Sequence, residues 1–290
     1  MAPTDDVLAA SDAAAHPDAR RVVVATRQAL ADGGQLLVVT GAGLSADSGI
    51  PTFRGEEGYW RKDGRNHRPE ELATAAAFRR DPDLVWPWYL YRRGVCRAAS
   101  PNPAHQALAG LATALGPRMT LLTQNVDGLH LRAGSPAERT FEIHGNIDFA
   151  RCAKACHPGR WPLPADLRLF GRDDALDHAT RAALRCPRCG GLARPHVLWF
   201  DESYDEANYR WDSSIRAARS ASVLWVVGSS GATNLPNQVA QLVAGRGGFV
   251  ADINPDDSPF GQLAVRSGGA HVRARAGTVV PALCSAVLAG

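Results

Sequence analysis

The sequence predicts a doubly wound α/β fold carrying a small metal-stapled insertion, and three observations predict it. Four short apolar runs, each ending in small or polar residues, have the texture of buried parallel strands. The first opens directly into a glycine-rich turn, as a βαβ unit begins. Between the second and third runs lies an aperiodic stretch, rich in proline, that holds four cysteines.

Taken in order, residues 21–31 have a helical pattern that Asp32-Gly33-Gly34 ends. QLLVVT (residues 35–40) is the first strand and leads into GAGLSADSGI. Residues 58–98 carry helical patterns and many aromatics, an excursion expected to lie over the sheet. RMTLLT (118–123) is the second strand and ends at QNVDGLH; SVLWVV (222–227) is the third and ends at GSSGATNLP; GFVADIN (248–254) is the fourth. Open parallel sheets bind ligands at the carboxyl ends of their strands, so the site is expected in these loops. The expected division is a leader over 1–20, a sheet domain from 21–57, 99–150 and 195–290, the excursion 58–98 and a zinc module 151–194.

Composition excludes several classes. The chain has 290 residues, 45% hydrophobic and 21% charged, an ordinary globular balance long enough for a large core. With 32 basic against 29 acidic residues the net charge is +3, too even for a nucleic-acid binder. No apolar run reaches the roughly 20 residues that span a bilayer. The first twenty residues lack a basic start and apolar h-region and contain four aspartates, so they read as a mobile leader rather than a targeting signal. A cytoplasmic location follows as an expectation, and with it a metal site rather than disulfides.

Cys152-x3-Cys156 and Cys186-x2-Cys189 are two pairs of soft thiolate ligands, a set that closes a tetrahedral structural zinc site; unrelated thiols are the alternative. Cys96 and Cys284 have no partner pattern and suit buried small residues. Gly41-Ala42-Gly43-Leu44-Ser45-Ala46 fits G-x-G-x-x-A, where glycines admit backbone N–H groups to a pyrophosphate and a helix dipole assists; a plain tight turn has the same letters. No acidic residue closes a second strand about 20 residues on, so the ligand mode differs from that of a standard dehydrogenase. His144, with a glycine after it, lies at the edge of this site and has the pKa of a neutral-pH base, although a lone histidine is commonly structural. Asn125 and Asp127 offer polar groups or ordinary turn chemistry.

GAGLSADSGIPTFRG, TQNVDGLH, EIHGN, the paired cysteines, RPHVLWF, VVGSS and DINPD occur in the order found in sirtuins, the NAD-dependent protein lysine deacylases. The resemblance runs from about Gln35 to Leu283. It implies a Rossmann-like sheet with a zinc module and NAD as co-substrate. By matching positions it implies that Gly41, Ala42, Gly43, Ser45 and Ala46 form the phosphate turn, with Thr52, Phe53 and Arg54 beside it. Gln124, Asn125 and Asp127 would meet the nicotinamide ribose and carboxamide. Gly228, Ser229, Ser230 and Asn254 would hold the adenosine part, with Ala276 a further adenine contact. His144 would be the base that takes a proton from the ribose hydroxyls after the acyl oxygen has displaced nicotinamide. The structural zinc, one per chain, would take no part.

PTFRG, YWRK, ELAT and the Tyr89-x2-Arg92 pair together resemble the sirtuin class that removes succinyl, malonyl and glutaryl groups. Tyr89 and Arg92 share a helix face and suit a carboxylate, although from spacing alone an aromatic helix packed on the core is the simpler reading. Ala73 matches the small residue that widens the acyl pocket, and Trp199 and Phe200 match the substrate side. The partners implied are acylated-lysine proteins, with no nucleic acid and no membrane; oligomeric state is not readable. Two departures fall on the peptide side: Phe200-Asp201-Glu202 stands where the family has Phe-Gly-Glu, and the loop over 231–236 is about one residue longer than the family's. They keep open an ADP-ribosyltransferase or NAD hydrolase on the same fold, and a binding module for NAD or ADP-ribose without catalysis.

Overall fold

The computed structural model describes residues 16–51, 60–62 and 65–289. Helix α1 (Pro17–Ala31) begins four residues earlier than the sequence predicts, because Pro17 stands in its first turn and His16 Nδ1 accepts from the Asp18 N–H at 3.3 Å. Residues 17–20, expected in the leader, are therefore helical, with Ala19 buried. Strand β1 (Gln35–Thr40) follows, and then the one-turn helix α2 (Ala42–Ser45) with a 3₁₀ turn over Ala46–Ser48.

The excursion comprises a hairpin of β2 (Trp60–Lys62) and β3 (Arg65–His67), then α3 (Pro69–Leu72), α4 (Ala75–Arg80) and α5 (Pro82–Ala98). Helix α6 (Pro103–Leu115) leads to β4 (Met119–Thr123), and α7 (Leu129–Arg132) to β5 (Thr140–Glu142). The insertion then runs through β6 (Gly145–Cys152), β7 (Arg160–Pro162), α8 (His178–Ala183) and β8 (Ala193–Val197). Helices α9 (Glu206–Tyr209) and α10 (Trp211–Ser220), strand β9 (Ala221–Val227), α11 (Asn234–Gly245), β10 (Phe249–Ile253), α12 (Pro259–Arg266), β11 (Ala270–Val272) and α13 (Ala276–Leu288) complete the chain.

The main sheet has the order β11-β10-β9-β1-β4-β5 and every pairing in it is parallel. Strand β1 shows why the apolar runs predicted it. Leu36 and Val38 enter the core under α1, α6 and α13, while Leu37 and Val39 enter the opposite core under α10, α11 and α12. With both faces covered, a run need not alternate. A third core joins the excursion to the insertion, packing Phe78, Trp86, Trp88 and Tyr89 against Ile147, Ala150 and Trp199. The insertion stands on an antiparallel sheet of order β7-β6-β8. From β1 the chain moves outward through β4 and β5, then returns beside β1 as β9 and moves the other way. The β1/β9 boundary is thus the topological switch point, where such sheets open a crevice. Among the described residues no helix is long and apolar enough to cross a membrane.

Candidate active site

Five loops meet at the carboxyl edge of the sheet, and two of them interlock at the switch point. The Gly41 N–H donates to the Val227 carbonyl and the Gly43 N–H to the Gly228 carbonyl, both at 2.9 Å. A Cβ on Gly41 would lie 2.7 Å from the Gly228 oxygen, one on Gly43 2.8 Å from the Gly228 Cα, and one on Gly228 2.5 Å from the Leu44 nitrogen. Gly228 also has φ +60°. These glycines are required by backbone packing of one loop on the other, a stricter demand than ligand approach. The following helix is one turn plus a 3₁₀ turn, too short for a helix dipole, so that expectation is corrected.

Below the turn lies a buried polar chain. Asn125 Nδ2 donates to the Gly41 carbonyl at 3.0 Å and to Ser45 Oγ at 2.9 Å, and Ser45 Oγ donates to Asp127 Oδ2 at 2.7 Å. Burial pushes the Asp127 carboxyl upward, against the Leu129 N–H and the Ser45 hydroxyl, which favour its charged form. Gln124 Nε2 donates to Ser229 Oγ at 2.8 Å, and Asn254 Nδ2 to the Ser229 carbonyl at 3.1 Å. Ser229 is buried while Ser230 is exposed. Ala276 is buried at the start of α13, beside the 3₁₀ turn, because the Gly277 N–H donates to Asp47 Oδ2 at 3.2 Å. The structure thus gathers Gly41, Ala42, Gly43, Ser45, Ala46, Gln124, Asn125, Asp127, Gly228, Ser229, Asn254 and Ala276 around one edge. Thr52, Phe53 and Arg54 lie outside the described residues.

His144 follows β5. Its backbone is fixed by Gly145, at φ +86°, where a Cβ would sit 2.1 Å from the His196 oxygen, and by the Leu198 N–H, which donates to the His144 carbonyl at 2.9 Å. The half-buried ring contacts the Gln124 backbone, and burial pushes its pKa down to about 4, so it is neutral at physiological pH. Its Nε2 lies 2.8 Å from the Tyr204 hydroxyl.

The expected substrate wall begins at the residue after that Leu198 bond. Trp199 Nε1 donates to the Tyr89 hydroxyl at 2.9 Å, and Phe78 packs on the Trp199 ring with centroids 5.2 Å apart. Burial pushes the Tyr89 phenol above its usual range. Arg92, half-buried one turn along α5, stacks over Trp88 at 5.5 Å, and burial lowers its pKa while Tyr89 nearby opposes that shift. Ala73 is buried, and its carbonyl accepts from the Phe200 N–H at 2.9 Å; the Phe200 side chain is exposed.

A family model described as "Sir2 family" matches residues 41–234. This chain belongs to the Sir2 family. It is 37% identical over 254 residues to an NAD-dependent protein deacylase of Leptospira interrogans, covering 88% of this chain and 93% of that one. It is 40% identical over 255 residues to an NAD-dependent protein deacylase of Pyrococcus furiosus, with the same coverage. A Sir2 homologue solved with NAD superposes at TM-score 0.75 with 34% identity, covering 94% of this chain and 95% of that one. A mutant Sir2 homologue solved with 2′-O-acetyl ADP ribose superposes at 0.70 with 36% identity, covering 88% and 92%.

In this Sir2-family chain the four cysteines Cys152, Cys156, Cys186 and Cys189 converge, with all four sulfurs within 4.8 Å of one another. Thiolates at that spacing suit a tetrahedral zinc with a closed, structural shell. The first pair encloses three residues where the second encloses two, and this extra residue is absorbed at Ala155, which takes φ +48° while its N–H donates to the Cys152 carbonyl. His157 is not needed for the count; its Nε2 lies 3.7 Å from Cys186 Sγ. Cys96 and Cys284 are buried, and burial pushes both thiols up to about 12.

Three contacts of the site escaped the sequence reading. Asp201 does not present its charge to a groove: its carboxylate accepts from the Ala75 and Ala76 N–H groups at 2.7 and 3.0 Å, fastening its segment to α4. Thr233 Oγ1 donates to Gln124 Oε1 at 2.9 Å and so ties the longer loop to the site. Tyr204 contacts His144. Its only signal in the sequence was a lone aromatic in the polar run Glu202-Ser203-Tyr204-Asp205.

Proposed function

We propose that this chain removes acyl groups from lysine side chains of proteins at the expense of NAD, releasing nicotinamide and O-acyl-ADP-ribose. The observation that carries the reading is a neutral, half-buried His144 at the rim of the Ser45–Asn125–Asp127 chain, because mere binding needs no base there. NAD brings a ribose carbon that becomes electrophilic as nicotinamide departs. The turn from Gly41 to Ala46 lies against the phosphates, its Gly41 and Gly43 N–H groups committed to holding the loop after β9 in place, and Ser229 and Asn254 hold the adenosine side. Asn125 and Asp127 orient the nicotinamide ribose and carboxamide. His144 takes the proton of a ribose hydroxyl at Nε2. The four cysteines, loaded with zinc, hold the insertion's shape.

For the acyl group we infer a preference for acidic chains such as succinyl, malonyl or glutaryl. The Tyr89 hydroxyl accepts from Trp199 Nε1 and retains its own proton to give, while Arg92 lies one turn away with its charge at the same wall. A guanidinium on a carboxylate contributes about 1.5–3 kcal/mol, so Arg92→Met should lower kcat/KM for succinyl-lysine peptide about 10- to 100-fold and spare acetyl-lysine. Equal loss on both substrates would remove the carboxylate role.

A second reading, cleavage of NAD without acyl-lysine, is favoured by one observation. The Phe200 N–H and the Asp201 carboxylate are both engaged by the 73–76 segment, on the side where a peptide would lie. Mass spectrometry with NAD and matched acetyl-, succinyl- and unmodified-lysine peptides decides. Acyl-ADP-ribose from acylated peptides alone supports the deacylase, and His144→Ala should then cut turnover about 10²–10⁴-fold while leaving NAD binding intact. Nicotinamide released equally with unmodified peptide would establish the second reading.

A further inference from the structure

Tyr204 closes a ring of contacts around the base that joins the peptide side to the cofactor side. His144 meets the Gln124 backbone. Because its Nε2 faces the Tyr204 hydroxyl, the Gln124 backbone contact falls to Nδ1, and we assign the ring proton to that nitrogen. The Gln124 side chain accepts from Thr233 Oγ1 at 2.9 Å, and Thr233 and the Leu235 backbone lie beside the Tyr204 hydroxyl. The Tyr204 hydroxyl then donates to His144 Nε2 at 2.8 Å. Its ring lies between His144 and Trp211, with centroids at 5.8 and 5.6 Å.

An sp² imidazole nitrogen has one lone pair. With Nδ1 fixed as the donor, Nε2 is the only basic atom of His144, and Tyr204 holds it. A substrate hydroxyl and the Tyr204 hydroxyl therefore exclude one another at that atom. Burial raises the phenol to about 12, so Tyr204 keeps its proton and acts there as a donor. The segment that carries it is anchored at one end by Asp201 on α4 and at the other by Asp205, which caps α9 through the Asn208 N–H at 2.6 Å.

Resting on the proposed function, we propose that Tyr204 is a positioning residue that guards the base. Its hydroxyl occupies His144 Nε2 until the hydroxyl to be deprotonated takes that place, so seating substrate against residues 200–205 and freeing the base are one event. Both departures from the family pattern then border the guard: Asp201 anchors its segment, and Thr233 of the longer loop holds the Gln124 side chain beside it.

The test is carbethoxylation of His144 by diethyl pyrocarbonate in the full-length, zinc-loaded protein, without NAD or peptide. Tryptic cleavage gives residues 140–151, a peptide whose one histidine is His144, and the exposed His178 is the internal reference. Tyr204→Phe keeps the ring and removes the hydroxyl. It should raise the His144 labelling rate about three- to tenfold, the worth of one hydrogen bond. An unchanged rate overturns the proposal. If Tyr204→Phe fails to fold, Asp201→Gly, which frees the anchor, should raise the rate in the same direction, and no change there overturns it equally. This readout stands whether or not the chain proves to be a deacylase. In a deacylase assay, the KM for acyl peptide should fall by a similar factor with kcat retained. A collapse of kcat with unchanged labelling would instead make Tyr204 a proton carrier and overturn the guard.

Discussion

Ala155 pays for the extra residue between the first two cysteines with its backbone. At φ +48° its Cβ crowds the neighbouring carbonyl, a conformation that costs an L-residue about 1–2 kcal/mol and glycine almost nothing. Glycine loses more freedom on folding, so the net gain from Ala155→Gly is about 0.5–1 kcal/mol. The zinc-loaded variant should therefore melt a few degrees higher and surrender zinc to a chelator more slowly. A lower melting temperature would mean that the turn is held by contacts of the methyl group rather than merely tolerated. The same reasoning separates Ala155 from Gly145, where the added Cβ would strike the His196 oxygen and the glycine is compulsory.

Among the elements, the loops after β1 and β9 form a single unit. Gly43→Ala would place its methyl group 2.8 Å from the Gly228 Cα, and neither backbone can yield without breaking the Gly43–Gly228 bond. Overpacking of this kind costs about 1–3 kcal/mol. The variant should lose that much in urea unfolding and lose NAD affinity with it, by calorimetry. Loss of affinity at unchanged stability would show that the glycine serves the ligand alone. The need for glycine here was legible in the sequence, but its cause was not, because the opposing loop lies more than 180 residues away. Four of the six strands of the main sheet were legible for a local reason: QLLVVT, MTLLT, ASVLWVV and FVADI bury both faces and show as unbroken apolar runs. The insertion's strands carry no such mark. RWP is three residues long with two of them exposed, and GNIDFARC mixes charge with apolar residues because one part faces the excursion. Asp201 and Tyr204 were illegible for the same reason as the interlocked loops, since their partners Ala75, His144 and Thr233 are set by the fold.

At the scale of the whole molecule, buried ionisable groups of opposite kinds titrate against one another. Burial pushes His105 and His144 down to about 4, His196 down to about 3, and His130 well below its usual value. Each is held neutral in the fold and protonates in the unfolded chain, so its contribution is fully present above about pH 6.5 and is lost as pH falls toward the folded pKa. Glu142 has the opposite sense. Burial raises it to about 7 despite Arg160 at 4.0 Å and the Asn146 amide, so the folded protein takes up its proton first and its contribution is lost as pH rises through 7. Asp252, raised to about 6 by burial, acts in the same sense. Between pH 7 and 5 the two sets oppose each other, but four histidines outweigh two carboxylates, so wild-type stability should fall across this range, less steeply than the histidines alone would make it. Glu142→Gln keeps an acceptor for Asn146 Nδ2 and removes the titration. The substitution should stabilise the protein by about 2–3 kcal/mol at pH 8, and the gain should vanish by pH 5. With Glu142 no longer titrating, the histidines are opposed by Asp252 alone and the loss of stability below pH 6.5 should be steeper. Urea unfolding of both proteins from pH 8 to 5 measures the difference. A gain independent of pH would mean that Glu142 is already protonated, or fully paired with Arg160, throughout that range.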